Sequence, residues 1–145
     1  MLILETMENP SQPKLWNPQA VAFWSILFSP IFGAYIFAKN WTELGKPDEA
    51  RQSMMWVYGG IIWTVVVGIF VGIFSIKLFI TMRLFEPLLL FTWIVMNGQK
   101  QLKYVREGIS YERQSWGMVL PLGLCTGVAY NFTLTYLFTF VRSLF

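Results

Sequence analysis

Arg83 and Glu86 are ionisable side chains set inside an otherwise apolar run, where a carboxylate can relay a proton or couple a cation to movement across a membrane. A relay needs a second titratable group, but no acid or histidine lies nearby, and the chain contains no histidine at all. Three residues apart on a helix, Arg83 and Glu86 instead reach each other as an intramembrane ion pair, which lowers the cost of charge near lipid. Arg83 can also extend its guanidinium to the headgroups. Other chemistry-bearing residues are sparse. Cys125 is the single cysteine and lies in an apolar run, so it cannot form an intrachain disulfide. There is no serine–base arrangement, no phosphate-binding glycine loop and no carboxylate set at ligand spacing, so neither nucleophilic nor metal chemistry has its parts. A non-enzyme without metal or cofactor is expected. The basic residues are few and close to apolar runs, which suits anionic headgroups better than nucleic acid.

The elements that must position these residues follow from composition. A chain of 145 residues that is 55% hydrophobic and 13% charged has too little polar surface to coat a soluble domain of its size. Residues 19–38, 52–76 and 117–141 are free of charge, and each is near or above the roughly 20 residues that cross a bilayer as a helix. A fourth run, 78–96, contains Arg83 and Glu86. The spacing predicts an all-α, polytopic membrane protein: a polar N-terminal tail over 1–18, then one domain over 19–145 with transmembrane helices at 19–38, 51–76, 78–96 and 117–141. The second and third helices are joined by almost nothing and should form a short hairpin. The third loop carries an amphipathic segment over 99–116. Leu102, Val105, Ile109 and Trp116 fall on one side of a helical wheel and Lys100, Lys103 and Glu107 on the other, as in a surface helix or an extension of the third span. Gly108 opposes a continuous rod.

The N-terminus, MLILETMENPSQPK, lacks the basic start and cleavage pattern of a removable signal, so the first span is expected to direct insertion. Lys39, Lys46, Arg51, Lys100, Lys103, Arg106 and Arg113 fall on the side of loops one and three, against Lys14, Lys77, Arg83 and Arg142 on the other. Cytoplasmic loops retain basic residues, so both termini are expected outside the cytoplasm.

Several motifs bear on packing and recognition. Ser29-Pro30 should kink the first span, because proline removes a backbone donor. Loop one, NWTELGKPDEAR, reads as a tight helix-turn-helix: Trp41 anchors at the headgroups, Gly45 stops one helix, and Pro47 with Asp48 and Glu49 opens the next. Its residues Trp41, Glu43, Leu44, Lys46 and Glu49 could equally form a recognition loop for a cytoplasmic partner. Gly60, Gly68 and Gly72 on the second helix, and Gly123, Gly127 and Asn131 on the fourth, recur at multiples of four, the spacing at which helices approach closely. The stripes could pack within one chain or between copies in a homo-oligomer.

The stretch WNPQAVAFWSILFSPIFGAYIFAKNWTELGKPDEAR, from Trp16 to Arg51, resembles small bacterial inner-membrane proteins that share S-P-x-F-G-A, an apolar turn and N-W-x-x-L-G. Ser29, Pro30, Phe32, Gly33, Ala34, Asn40, Trp41, Leu44 and Gly45 meet that pattern, over about a quarter of the chain. The resemblance implies a bacterial inner membrane and carries no assigned activity. The expected role is a non-enzymatic membrane protein, in contact with the lipid bilayer, that binds a protein partner. An immunity protein neutralising a membrane-active toxin is its concrete form. The alternative is a self-assembling channel or small transporter with Asn131 facing a pore.

Overall fold

Two prolines and a glycine divide the first third of the chain into short helices. The computed structural model describes residues 12–74 and 87–144, which are mostly helical. Helix α1 (Pro18–Leu27) begins on a proline, with the Asn17 side chain accepting from the Gln19 amide. Helix α2 (Pro30–Glu43) also begins on a proline, and Ser29 Oγ accepts from the Phe32 amide at 3.2 Å. Proline suits the first helical position, where an N–H would have no partner anyway.

The span expected over 19–38 is therefore two helices, and Ser29-Pro30 is a reversal rather than a kink. Ser29 is extended (φ 173, ψ 161), and α1 and α2 fold back on each other as an antiparallel hairpin. An added Cβ at Gly33 would overlap the Ser25 side chain, and Asn40 hydrogen-bonds to the backbone of Trp16. At about 1.5 Å per residue, the 10 residues of α1 and 14 of α2 reach only about 15 and 21 Å, short of the roughly 30 Å of hydrocarbon in a bilayer. Pro30 cannot donate to Ile26, and Ser29 caps the amides that follow, so this dipeptide favours a helix start over a helix interior.

Helix α2 stops at Gly45, whose φ of +66° is left-handed. The Lys46 amide donates to Trp41 O at 2.9 Å and the Gly45 amide to Thr42 O at 3.0 Å, which satisfies the last carbonyls. Helix α3 (Pro47–Phe74) follows at once, with Asp48 and Glu49 in its first turn, and runs back along α2 so that Gly60 faces Ile31. Helix α4 is described over 87–106 and contains one π-helical turn at Ile94–Gly98 before it continues over Gln99–Arg106. It extends past the end expected at 96 because Trp93, Asn97 and Gln101, spaced by four, are all buried and keep one face on the core. Part of the 99–116 segment is thus an extension of the third helix. Gly108 (φ +119°) lies just beyond its end, and strand β1 (Lys14–Leu15) then pairs in parallel with β2 (Glu112–Arg113). Helix α5 (Val119–Arg142) packs parallel to α3, with Leu137 against Gly68 and Val141 against Gly72.

The core lies around α2, whose Phe32, Ala34, Ile36 and Phe37 pack with Val21 of α1, Val57 of α3 and Trp93 of α4. Helices α3 and α5 are long and apolar enough to cross a membrane, yet only 28% and 11% of their most apolar windows are buried. The core helix of a soluble protein would hide that surface. Ile62, Val66 and Phe70 on α3, and Val128, Phe132 and Tyr136 on α5, face outward instead, as lipid-facing side chains do. The chain is accordingly a helical, membrane-associated protein with two candidate spans.

The strand pair corrects the expected placement of the N-terminus. Lys14 and Leu15 lie beside Glu112 and Arg113, on the same end of the fold as the α2–α3 turn, because the α1–α2 hairpin returns the chain to the end where it started. Arg142 lies at the opposite end, next to Val141, which packs on Gly72 near the end of α3. The two described ends of the chain therefore lie at opposite ends of the fold, and residues 14–18 are strand and helix start rather than tail.

Candidate functional site

Among the described residues, nearly all the charge sits at one end. Lys14, Lys39, Glu43, Lys46, Asp48, Glu49, Arg51, Lys100, Lys103, Arg106, Glu107, Glu112 and Arg113 gather around the α2–α3 turn, the end of α4 and the strand pair, whereas Arg142 is the described charge at the other end. A buried amide clasp holds this platform together. Asn40, fully buried, accepts from the Trp16 amide at 3.0 Å and donates to Trp16 O at 2.8 Å, so its side chain pairs with the backbone much as a neighbouring strand would. It also donates to Gln101 Oε1 at 3.0 Å, and Gln101 Nε2 donates to Phe37 O at 3.0 Å. One turn earlier on α4, inside the π-helical turn, Asn97 Nδ2 donates to Ser53 Oγ of α3 at 3.0 Å. The segment before α1 and helices α2, α3 and α4 are thus locked by amides whose burial is tolerated only because each is paired.

Next to the clasp lies a groove of about 1030 Å³, lined by Lys14, Glu43, Leu44, Tyr104, Ile109 and Glu112 among others. Two of the loop-one residues singled out from sequence, Glu43 and Leu44, line it. Lys14 and Glu112 form an ion pair across the strands at 3.4 Å, and Lys46 Nζ lies 5.0 Å from the centre of the Tyr104 ring. Trp41 does not anchor at an exposed interface: it is 3% exposed and packs tilted against the Tyr104 ring at 5.4 Å, because the end of α2 turns its indole inward against α4. Glu43 is exposed, while Lys46 and Glu49 are half-buried.

A second cavity, of about 290 Å³, lies at the hairpin tip, level with Gly60 to Thr64 and so near the middle of α3. Ser25, Ser29, Thr64 and Asn131 are its polar lining, with Phe28 and Trp63 among its apolar walls. Among the described residues no backbone amide outside the helices donates to the Ser25 or Phe28 carbonyl, and Pro30 deprives the Ile26 carbonyl of its helical donor. Asn131 Nδ2 donates to Gly127 O at 2.9 Å, and Thr135 and Thr139 bond to carbonyls of their own helix.

The glycine stripes pack, but not against each other: most meet side chains, and Gly127 meets the Phe28 backbone. Gly68 and Gly72 receive Leu137 and Val141 of α5, Gly60 receives Ile31 of α2, and Gly123 and Gly127 receive Phe28 of the hairpin tip. Arg83 and Glu86 lie outside the described residues, as does the short hairpin connection near Lys77. Asn40, Ser53, Asn97 and Gln101 were not singled out as site residues, although Asn97 and Gln101 share the four-residue spacing of Trp93 and so signalled polar groups on a core-facing stripe. Comparison with protein-family models, curated proteins and solved structures finds no match for the chain.

Proposed function

We propose that this chain is a non-enzymatic integral protein of the bacterial inner membrane whose charged end binds a protein partner in the cytoplasm. A partner that is a membrane-active toxin, with this chain as its immunity protein, is the concrete form of that reading. In this arrangement α3, α4 and α5 span, and the α1–α2 hairpin enters from the cytoplasmic side and returns, in place of four full spans. The N-terminal strand is then cytoplasmic and the C-terminus periplasmic. The resemblance of residues 16–51 to small inner-membrane proteins supports the compartment. The gathering of basic residues at one end supports the orientation, since retained loops are rich in them.

The observation that carries the binding reading is the groove beside the amide clasp. Its open mouth, mixed charge and partly apolar floor of Leu44, Tyr104 and Ile109 fit a polypeptide better than a small metabolite. Photo-crosslinking residues placed at positions 43 and 114 should capture a partner in native membranes, and one at position 136 on the apolar face should not. Glu43→Lys should weaken capture from position 114 at unchanged abundance, because rim charges steer association. Capture that is absent at both groove positions, or equal at 136, rejects the reading.

The cavity at the hairpin tip favours a second reading, a small transporter or self-assembling channel. A helix break at mid-depth, lined by hydroxyls and by carbonyls outside the helical ladder, is the kind of backbone that lines polar sites in membranes. Purified protein in liposomes should be silent to ion flux if the chain is a binding protein. Flux that Thr64→Val reduces would put transport first.

A further inference from the structure

The end of α4 and the strand pair border a third, open cavity of about 250 Å³ against the start of α1, and Arg106 and Arg113 both line it. Among the described residues neither guanidinium has a carboxylate partner. The acids adjacent to them in sequence are engaged elsewhere: Glu107 with Lys103 at 3.7 Å, and Glu112 with Lys14 at 3.4 Å. Strand alternation explains the sorting, because successive side chains point to opposite faces. Glu112 joins the groove and Arg113 joins this cavity. Both arginines are exposed, and they border one open pocket without an anion between them, an arrangement whose positive potential attracts an anion.

We infer that this cavity binds the phosphate of an acidic phospholipid headgroup, an inference that rests on the membrane reading above. Guanidinium groups match phosphate oxygens in bidentate geometry, and Tyr111, Asn17 and Gln19 add neutral donors around the same space. The start of α1 contributes little from its backbone, since Pro18 has no N–H and the Gln19 amide is already bonded to Asn17. The two arginines carry the recognition. A lipid is favoured over free phosphate by the remaining wall and by position. Leu102 and Val105 give the cavity an apolar side. Trp16, just before α1, bonds through Nε1 to Ser115 O, so an indole lies at this end of the hairpin, as indoles do at a headgroup level.

The test uses the full chain purified in detergent, with native mass spectrometry against phosphatidylglycerol, phosphatidylcholine and inorganic phosphate. Wild type should retain phosphatidylglycerol about tenfold better than phosphatidylcholine, the size of effect expected for charge-assisted bidentate contacts. Arg106→Gln with Arg113→Gln should reduce that preference to about twofold or less, while Lys39→Gln with Lys100→Gln, an equal loss of charge at the same end, should leave it intact. Arg106→Lys with Arg113→Lys keeps the charge and should restore only part of the preference, which also guards against misreading a folding defect. Equal preference in wild type and the arginine-to-glutamine variant overturns the site. Inorganic phosphate bound as well as phosphatidylglycerol, with competition between them, overturns the lipid source. Resistance of the wild type to carbonate extraction is scored separately: loss of the protein from membranes overturns the membrane reading, whereas loss of lipid preference in a membrane-retained protein overturns this inference alone.

Discussion

Asn40→Leu removes the centre of the amide clasp while nearly conserving side-chain volume. Three groups lose their partner: the Trp16 amide, the Trp16 carbonyl and Gln101 Oε1. Gln101 is fully buried, so its stranded oxygen carries a desolvation penalty of about 1–3 kcal/mol. Trp16 is only half-buried and its backbone can regain water, so each of its two bonds counts at about 0.5–1 kcal/mol. The expected loss is about 2–5 kcal/mol, large for one uncharged side chain. Thr42→Val, which removes the bond from an exposed hydroxyl to Ala38 O within the same helix, is the control and should cost about 1 kcal/mol or less. Thermal unfolding in a single detergent should separate the two variants clearly. The loss should also have a local signature, because Asn40 is what holds β1 in place. Leu15 is fully buried, so a cysteine there, in a Cys125→Ser background, should resist a thiol reagent and become reactive when Asn40→Leu is added. Combining Asn40→Leu with Gln101→Leu should cost less than the sum of the single losses by about 1 kcal/mol, since the two share a bond. Equal unfolding temperatures for Asn40→Leu and Thr42→Val, with Leu15→Cys protected in both backgrounds, would refute the clasp.

Three shorter predictions address topology, packing and backbone. Single cysteines at positions 14, 46 and 103 should share one pattern with a membrane-impermeant thiol reagent on intact cells, and position 142 should show the opposite; position 14 grouping with 142 would contradict the hairpin. Gly72→Leu should destabilise by about 1–3 kcal/mol, because even its Cβ would lie 2.7 Å from Val141 Cβ, whereas Gly59→Leu meets open space, and equal effects in unfolding assays would count against α3–α5 packing. Gly45→Ala should cost about 1–2 kcal/mol through its left-handed backbone alone, and Gly45→Asn less; an alanine variant as stable as wild type would mean that this turn is not held as described.

Local chemistry decided what the sequence could reveal. Charge-free runs of near-spanning length marked α3 and α5 within a few residues, because transfer of apolar side chains from water depends on composition more than on neighbours. The stop and start of the α2–α3 turn were legible: Gly45 supplies the left-handed stop, and Pro47, Asp48 and Glu49 the next start, all through interactions within a few residues. The four-residue spacing of the glycines likewise marked positions of close approach, though not what would approach them.

What the sequence left open depended on contacts distant along the chain. A Ser-Pro pair in an apolar run is compatible with a kinked span or with a reversal, since both relieve the missing proline donor. The reversal is chosen by pieces far from it: Trp93 against Gly33 and Phe37, Phe28 against Gly123, and the Asn40 side chain across to Trp16 and Gln101. That choice carried the N-terminus to the charged end, turned Trp41 inward and set Arg106 beside Arg113. Local pattern determined which segments are helical and which are apolar. Direction and partner were decided by nonlocal packing, because a helix's own hydrogen bonds are equally well satisfied whichever neighbour its faces meet.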